Sequence, residues 1–214
     1  EASHYEEFLR AKILFVEGGS QYDIYAMRSA GIDPATGKEI FIKKNGEYTF
    51  NYDEKERVAV GNTNPILQGS LMNTLRYKGF SISVATSYTF GSDYFNSTLK
   101  NKVENIDLNY NVDRRVFTDR WKEPGDHTRF LGIGTSSSSS QYSERFVEKR
   151  NELYISSIQV MYDFAPKAIT RLGLRKLAIG FGLSDIAHIS TVKFERGTEY
   201  PYCRGINLIF RPTF

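Results

Sequence analysis

An all-β fold, antiparallel strands crossing a membrane as part of a β-barrel, is what this sequence predicts, and three observations predict it. The chain closes on an alternating strand with a terminal aromatic: Ile206, Leu208, Phe210 and Phe214 share one parity of residues 205–214. Period-2 apolar alternation marks a strand with two different faces, and bacterial outer-membrane barrels commonly end on such a Phe. Other segments of about ten residues alternate in the same way, which suits tilted strands crossing hydrocarbon. Their connections are short on one side and long on the other, the asymmetry of barrels whose long loops are extracellular.

The clearest hairpin covers residues 71–90. Phe80, Ile82, Val84, Tyr88 and Phe90 alternate with Ser81, Ser83, Ala85, Ser87 and Thr89, an apolar face against a small, polar one. A tight Tyr77-Lys-Gly-Phe80 turn leads back to Leu71, Leu75 and Tyr77, which alternate with Met72, Thr74 and Arg76. A second hairpin covers 153–183: Ile158, Val160, Tyr162 and Phe164, then a connection from Pro166 to Gly173, then Leu177, Ile179, Phe181 and Leu183. The last strand covers 203–214, and 21–29 is a weaker candidate with mixed alternation. About six strands result. Between them, residues 91–151 lack clear periodicity and contain the run Gly134-Thr-Ser-Ser-Ser-Ser-Ser140, too polar to bury apolar surface.

Composition neither contradicts nor establishes this reading. A chain of 214 residues with 40% hydrophobic and 25% charged residues resembles an ordinary globule, and so does a barrel, since only alternate strand residues meet lipid. The mean hydropathy of −0.42 is uninformative for that reason. Fourteen Tyr and 15 Phe suit interfacial aromatic girdles. No apolar run approaches the roughly 20 residues of a spanning helix. The opening Glu1-Ala-Ser-His-Tyr-Glu-Glu7 is acidic where a secretory signal is basic and then apolar, so the expectation is a processed or internal piece, with 1–20 a connecting segment and 21–214 the barrel part. A lone Cys203 forms no internal disulfide, and a net charge of +3 is too small to indicate nucleic acid.

Several stretches resemble the C-terminal part of SusC/RagA-type TonB-linked outer-membrane receptors of Bacteroidota. They are Ala30-Gly-Ile-Asp-Pro-Ala-Thr-Gly-Lys-Glu39, Gly61-Asn-Thr-Asn-Pro65, Leu75-Arg-Tyr-Lys-Gly-Phe-Ser-Ile-Ser-Val84, Arg120-Trp-Lys-Glu-Pro-Gly-Asp126 and Gly205-Ile-Asn-Leu-Ile-Phe210, in the family's order. Asn151-Glu-Leu-Tyr154 and Phe181-Gly-Leu-Ser-Asp185 depart from its pattern. The resemblance implies a 22-stranded barrel plugged by an N-terminal domain, a SusD-like lipoprotein over its extracellular mouth, and TonB acting through the plug. This chain would supply only the C-terminal portion. About six strands cannot close a barrel, and open edges leave unpaired N–H and C=O groups in lipid. The remaining strands and plug are therefore expected from the same polypeptide or a second chain.

No motif points to catalysis. Gly132-Ile-Gly134 neither follows a strand nor opens a helix, as a phosphate cradle requires. His4, His127 and His188 have no metal-ligand spacing with Cys203. Asp107, Asp113 and Asp119 offer oxygen ligands for calcium, but their spacing matches no binding loop. No serine sits in a nucleophile elbow. Neither a cofactor nor enzyme activity is expected. The candidate ligand or lid contacts are Trp121, Tyr110, Phe117 and Tyr142, exposed rings being common recognition surfaces; the competing reading of Trp121 is that it anchors its own loop. Phe214 is a candidate assembly signal, as the resemblance implies, or lipid-facing packing. Arg76, Lys176 and Arg211 are expected to snorkel or face the lumen.

The function expected is a share in importing a bulky nutrient, an oligosaccharide or peptide, with loops 91–151 and 185–202 touching substrate or lid in the outer membrane of a Gram-negative bacterium. The alternative is a SusC-like barrel serving as a structural or assembly component without transport, since fold does not fix function. A soluble all-β binding domain is a third reading, and it leaves the ordered motifs unexplained.

Overall fold

The alternating stretches become strands in the computed structural model, which describes residues 18–106, 109, 112–134, 142–193 and 204–214. Among the described residues the strands are β1 (Asp23–Ala26), β2 (Arg28–Ile32), β3 (Glu39–Ile42), β4 (Tyr48–Thr49), β5 (Val58–Asn62), β6 (Leu67–Tyr77), β7 (Phe80–Phe95), β8 (Val147–Asp163), β9 (Lys176–Ser190) and β10 (Gly205–Thr213). The chain divides into two units: Glu1–Asn64 with Ser92–Lys149, and Pro65–Gly91 with Arg150–Phe214.

The second unit is built on a five-stranded sheet ordered β10-β9-β8-β7-β6. Its pairing sorts side chains into two faces. Ile206, Leu183 and Ile158 form one transverse row, Leu208, Phe181 and Val160 the next, and Phe210, Ile179 and Tyr162 a third. Leu67 with Phe90, Leu75 with Ile82 and Tyr77 with Phe80 extend the same pattern across β6 and β7. The other face carries Asn207, Gly182 and Gln159, then Ile209, Gly180 and Met161, then Arg211, Ala178 and Asp163. Ser70 with Ser87, Thr74 with Ser83 and Arg76 with Ser81 continue it. Arg76, Lys176 and Arg211 thus share the small-residue face. In a soluble sheet the greasy face would be covered by a second layer; here Leu208 is 81%, Leu75 71% and Ile206 68% exposed. An uncovered apolar face of this extent is made for lipid rather than water.

Rings gather at both ends of that face. Phe80 meets Tyr162 at a centroid distance of 4.5 Å, and Tyr162 meets Phe164 at 4.8 Å. Towards the other end Tyr88 stacks on Phe90 at 5.9 Å and Tyr154 lies edge-on to His188 at 5.7 Å. From Phe80 to Phe90 is about 34 Å of strand, or roughly 26 Å of height at a tilt near 40°, which matches the apolar band between two aromatic girdles. A register shift between Ile155 and Ser157, with Asp185 at φ 60°, bulges β9 where the apolar rows end. There the Tyr154 hydroxyl donates to Asp185 Oδ1 at 2.9 Å, and His188 Nε2 lies 3.0 Å from Glu152 Oε2.

The β6–β7 connection is the expected two-residue turn. Lys78 and Gly79 both have positive φ, 44° and 87°, the geometry that matches the twist of a hairpin. The connection from β8 to β9 is a short helix α1 (Pro166–Ile169) and a single 3-10 turn (Thr170–Leu172) ended by Gly173 at φ 71°.

Two expectations need correction. Of the roughly six strands anticipated, five enter the sheet; residues 21–29 divide between β1 and β2, which belong to separate small sheets, β1-β5 and β2-β3-β4. The described residues between 91 and 151 are not a plain loop. β7 continues to Phe95 and β8 begins at Val147, and between them Leu99, Val103, Val116, Phe130 and Phe146 bury one another in a core cluster. Those contacts come from isolated apolar residues on short turns, so they leave no periodic trace.

Phe181→Lys, at the middle of the apolar face, is expected to destabilise the complete barrel by about 2–4 kcal/mol, read from denaturant midpoints after refolding into liposomes. Gln159→Lys, on the opposite face, should leave the midpoint near its parent value.

Candidate substrate-facing site

In the first unit, β1 is held on one side by β5, with Asn62 Nδ2 donating to Asp23 Oδ1 at 2.7 Å. The main chain after β1 is fastened to a distant segment: Met27 N donates to the Tyr142 carbonyl at 2.9 Å, and Glu144 N to that of Met27 at 3.1 Å. This joins Tyr142, whose ring meets that of Phe95 at a centroid distance of 5.3 Å, to the start of the unit. The result is a pocket of about 220 Å³ walled by Tyr22, Tyr25, Phe95 and Tyr142, with Asp23 and Thr63 among its polar groups. Lys100 Nζ lies 4.3 Å and Arg57 Cζ 4.9 Å from the centre of the Tyr142 ring, within reach of cation–π attraction. The Tyr52 hydroxyl oxygen accepts from Arg57 Nε at 2.8 Å and from Tyr142 N at 3.2 Å. Burial pushes the Tyr52 phenol above its ordinary pKa, against the pull of those two donors.

A buried charge cluster holds the same unit together. Arg145 donates to Glu39 Oε2 and to Glu104 Oε1, each at 2.7 Å, and to the Arg129 carbonyl at 2.7 Å. Both carboxylates are almost fully buried, with side-chain exposures of 2% and 3%. Ser143 Oγ also donates to Glu39, and Leu131 N to Glu104 Oε2 at 3.2 Å. Arg120 satisfies the carbonyls of Val103 and Glu104. Burial pulls the Arg145 pKa down, but the hydrogen bond and charge of Glu39 and the charge of Glu104 outweigh it, so the guanidinium lies above its ordinary value. Arg145 therefore stays charged at every physiological pH.

The sequence-predicted candidates separate. Trp121 is half-buried: its Nε1 donates to the Pro34 carbonyl at 2.8 Å, and its ring lies where a β-carbon on Gly37 would stand. Gly37 also has φ 69°, so only glycine fits that approach. Phe117 is 54% exposed on a short helix (Arg115–Thr118). Tyr142 lines the pocket. Tyr110 lies outside the described residues, as do His4, Asp107 and Cys203. Phe214 is 80% exposed, one residue beyond β10. Asp113 is engaged by Arg115, with Nη2 to Oδ2 at 2.7 Å, and Asp119 Oδ1 accepts from Thr118 at 2.6 Å. Among the described residues no group of three His, Cys, Asp or Glu is arranged to hold a metal.

Sequence reasoning missed Tyr22, Tyr25, Asp23 and Phe95, and the Arg145 cluster. Arg145 is 106 residues from Glu39 and 41 from Glu104, so nothing local marks the partnership. Only the position of Tyr25 within a mixed alternating stretch hinted at a half-buried strand.

No protein-family model matches the chain. Over 170 residues, 77% of the chain, it is 26% identical to TonB-dependent receptor P39 of Formosa agariphila, of which it covers 16%. A chain of the RagAB peptide importer in its open-open state superposes with a TM-score of 0.65 at 16% identity, over 81% of this chain and 19% of that one. The same importer in its closed-closed state gives 0.62 at 18% identity, over 80% and 20%. The chain thus spans less than about a fifth of the curated relative and about a fifth of the importer chain. These likenesses bear out the resemblance to SusC/RagA-type receptors, and the sheet has the fold of a run of barrel strands, left open because the chain covers only part of the relatives' length.

Arg145→Met is expected to cost about 3–5 kcal/mol by stranding two buried carboxylates, seen as faster amide exchange across residues 39–42 and 99–104 in the complete protein. The raised Tyr52 value makes its contribution to stability complete below about pH 10 and lost as pH climbs through the folded pKa. Tyrosinate absorbance followed alongside amide exchange in wild type and Tyr52→Phe checks this; loosening in alkali should be blunted in the variant.

Proposed function

We propose that this chain is part of a TonB-dependent outer-membrane transporter that imports a bulky nutrient, an oligosaccharide or a peptide, in partnership with a SusD-like lipoprotein. The observation that carries the reading is the uncovered five-stranded sheet, apolar on one face, small and polar on the other, with rings at both ends of the apolar rows. Such a sheet suits the wall of a barrel whose polar lumen is shared with strands and a plug beyond this chain. Kinship with a TonB-dependent receptor and fold likeness to a peptide importer support the rest.

In this mechanism the sheet forms wall and the plug, driven by TonB, opens the path. The connection between β7 and β8 and the stretch after β9, which itself runs on to Ser190 where a loop from 185 was expected, are the segments proposed to meet substrate or lid, with Tyr142, Phe117, Tyr110 and Trp121 as the proposed contacts. Phe214 presents the C-terminal assembly signal. The polar face offers hydroxyls and amides such as Ser81, Ser83, Ser87 and Gln159 to a hydrated solute, while the apolar rows seal against the bilayer.

The test is uptake by cells carrying the complete receptor. Uptake of its oligosaccharide or peptide is expected to vanish when TonB is deleted, and the receptor should purify with a SusD-like lipoprotein. Transport that persists without TonB, or a complete receptor that moves no such ligand, would sink the reading.

A further inference from the structure

We infer that the short-turn rim of the sheet, through Lys78, Lys167, Arg171 and Arg175, binds the headgroups of net-anionic phospholipids in the leaflet it meets. The inference rests on the barrel reading alone and is independent of what the receptor carries.

Placement is the first argument. Asp163 N donates to the Gly79 carbonyl at 2.8 Å, Phe164 N to that of Leu177 at 3.0 Å and Arg175 N to that of Thr213 at 2.8 Å. These bonds draw the β6–β7 turn, the β8–β9 connection and the end of β10 into one rim. Ile169 is buried and pins the connection, while Lys167 and Arg171, four positions apart and both exposed, lie one helical turn from each other.

Depth is the second. Leu177, Ile179 and Phe181 share the apolar parity of β9, and Arg175 continues that parity just beyond the strand. On the neighbouring hairpin Lys78 follows Tyr77, with its Nζ 5.2 Å from the centre of that ring. Apolar rows, then rings, then cations is the order in which a barrel wall meets acyl chains, interface and phosphates.

Charge then selects the lipid. All four side chains are exposed, and among the described residues none of them is ion-paired. The one carboxylate at this end of the sheet, Asp163, lies on the polar face with Arg76, Lys176 and Arg211. A zwitterionic headgroup brings an ammonium with its phosphate and finds no carboxylate for it on the outward side, whereas phosphatidylglycerol brings the phosphate alone. The chain as a whole carries only +3, so the concentration of cations is local to this rim. Each Lys or Arg held near an anionic surface strengthens the attraction about fivefold.

The experiment uses the complete receptor in vesicles of about three parts phosphatidylethanolamine to one part phosphatidylglycerol. A trace of either lipid carries a photoreactive group near its headgroup, and cross-links to residues 74–81 and 164–177 are quantified by mass spectrometry. In wild type at low salt the phosphatidylglycerol yield is expected to exceed its share of the mixture about 5-fold or more, and about 0.5 M salt should abolish the excess. The triple variant Lys78→Gln, Lys167→Gln, Arg175→Gln is expected to fall back towards the bulk ratio. Arg76→Gln, Lys176→Gln, Arg211→Gln removes the same charge from the polar face and should keep the excess. All six side chains are exposed, so both variants retain the fold. A wild-type yield equal to the bulk ratio overturns the inference without recourse to either variant and leaves the rim to an acidic protein partner. An excess that survives in the first variant, or falls equally in both, overturns it as well.

Discussion

A backbone amide in hydrocarbon has no water to turn to, and each unpaired one costs several kcal/mol. The five-stranded sheet follows from that constraint. Its strands must pair along their length, and side chains must then alternate between two solvents, which is why Ile206, Leu183 and Ile158 align on one face while Asn207, Gly182 and Gln159 align on the other. The constraint also accounts for the outer strands: β6 and β10 end the order of the sheet, and in a membrane their free edges require further strands.

The first unit obeys different physics. It buries a conventional apolar cluster around Val103 and Phe146, but its long-range joints are polar. Arg145 gathers Glu39 and Glu104 from separate parts of the chain. A buried ion pair of this kind is weak evidence for net stability, yet breaking one partner is severe, because the other charge stays buried. Such a cluster specifies which segments meet. The cluster ties 143–145 to Glu39 of β3, and the backbone bonds of Met27, just after β1, to Tyr142 and Glu144 hold Tyr142 where it lines the pocket.

Much of the second unit was legible beforehand because period-2 alternation is a local signal. The pairs Leu75 with Ile82 and Tyr77 with Phe80 follow directly from a two-residue turn at Lys78-Gly79. Strand ends were less legible: β8 begins at Val147, but Val147-Glu-Lys-Arg-Asn-Glu152 is polar on both parities, so alternation fades before the hydrogen bonding does. The site was barely legible. Trp121 drew attention as an aromatic, and its indole turned out to be engaged with Pro34 and Gly37, whereas Phe95 fell in the stretch 91–151, which shows no periodicity.

Residue order alone therefore established strand character, the apolar and polar faces and the hairpin turn, since each depends on neighbours within a few positions. Tertiary structure alone decided that Leu99, Val103, Val116, Phe130 and Phe146 bury one another, that Arg145 bridges two carboxylates, and that Phe95 and Tyr142 meet Tyr22 and Tyr25 around one space. Those outcomes depend on contacts between residues tens of positions apart, where charge and shape complement each other without any repeat along the chain.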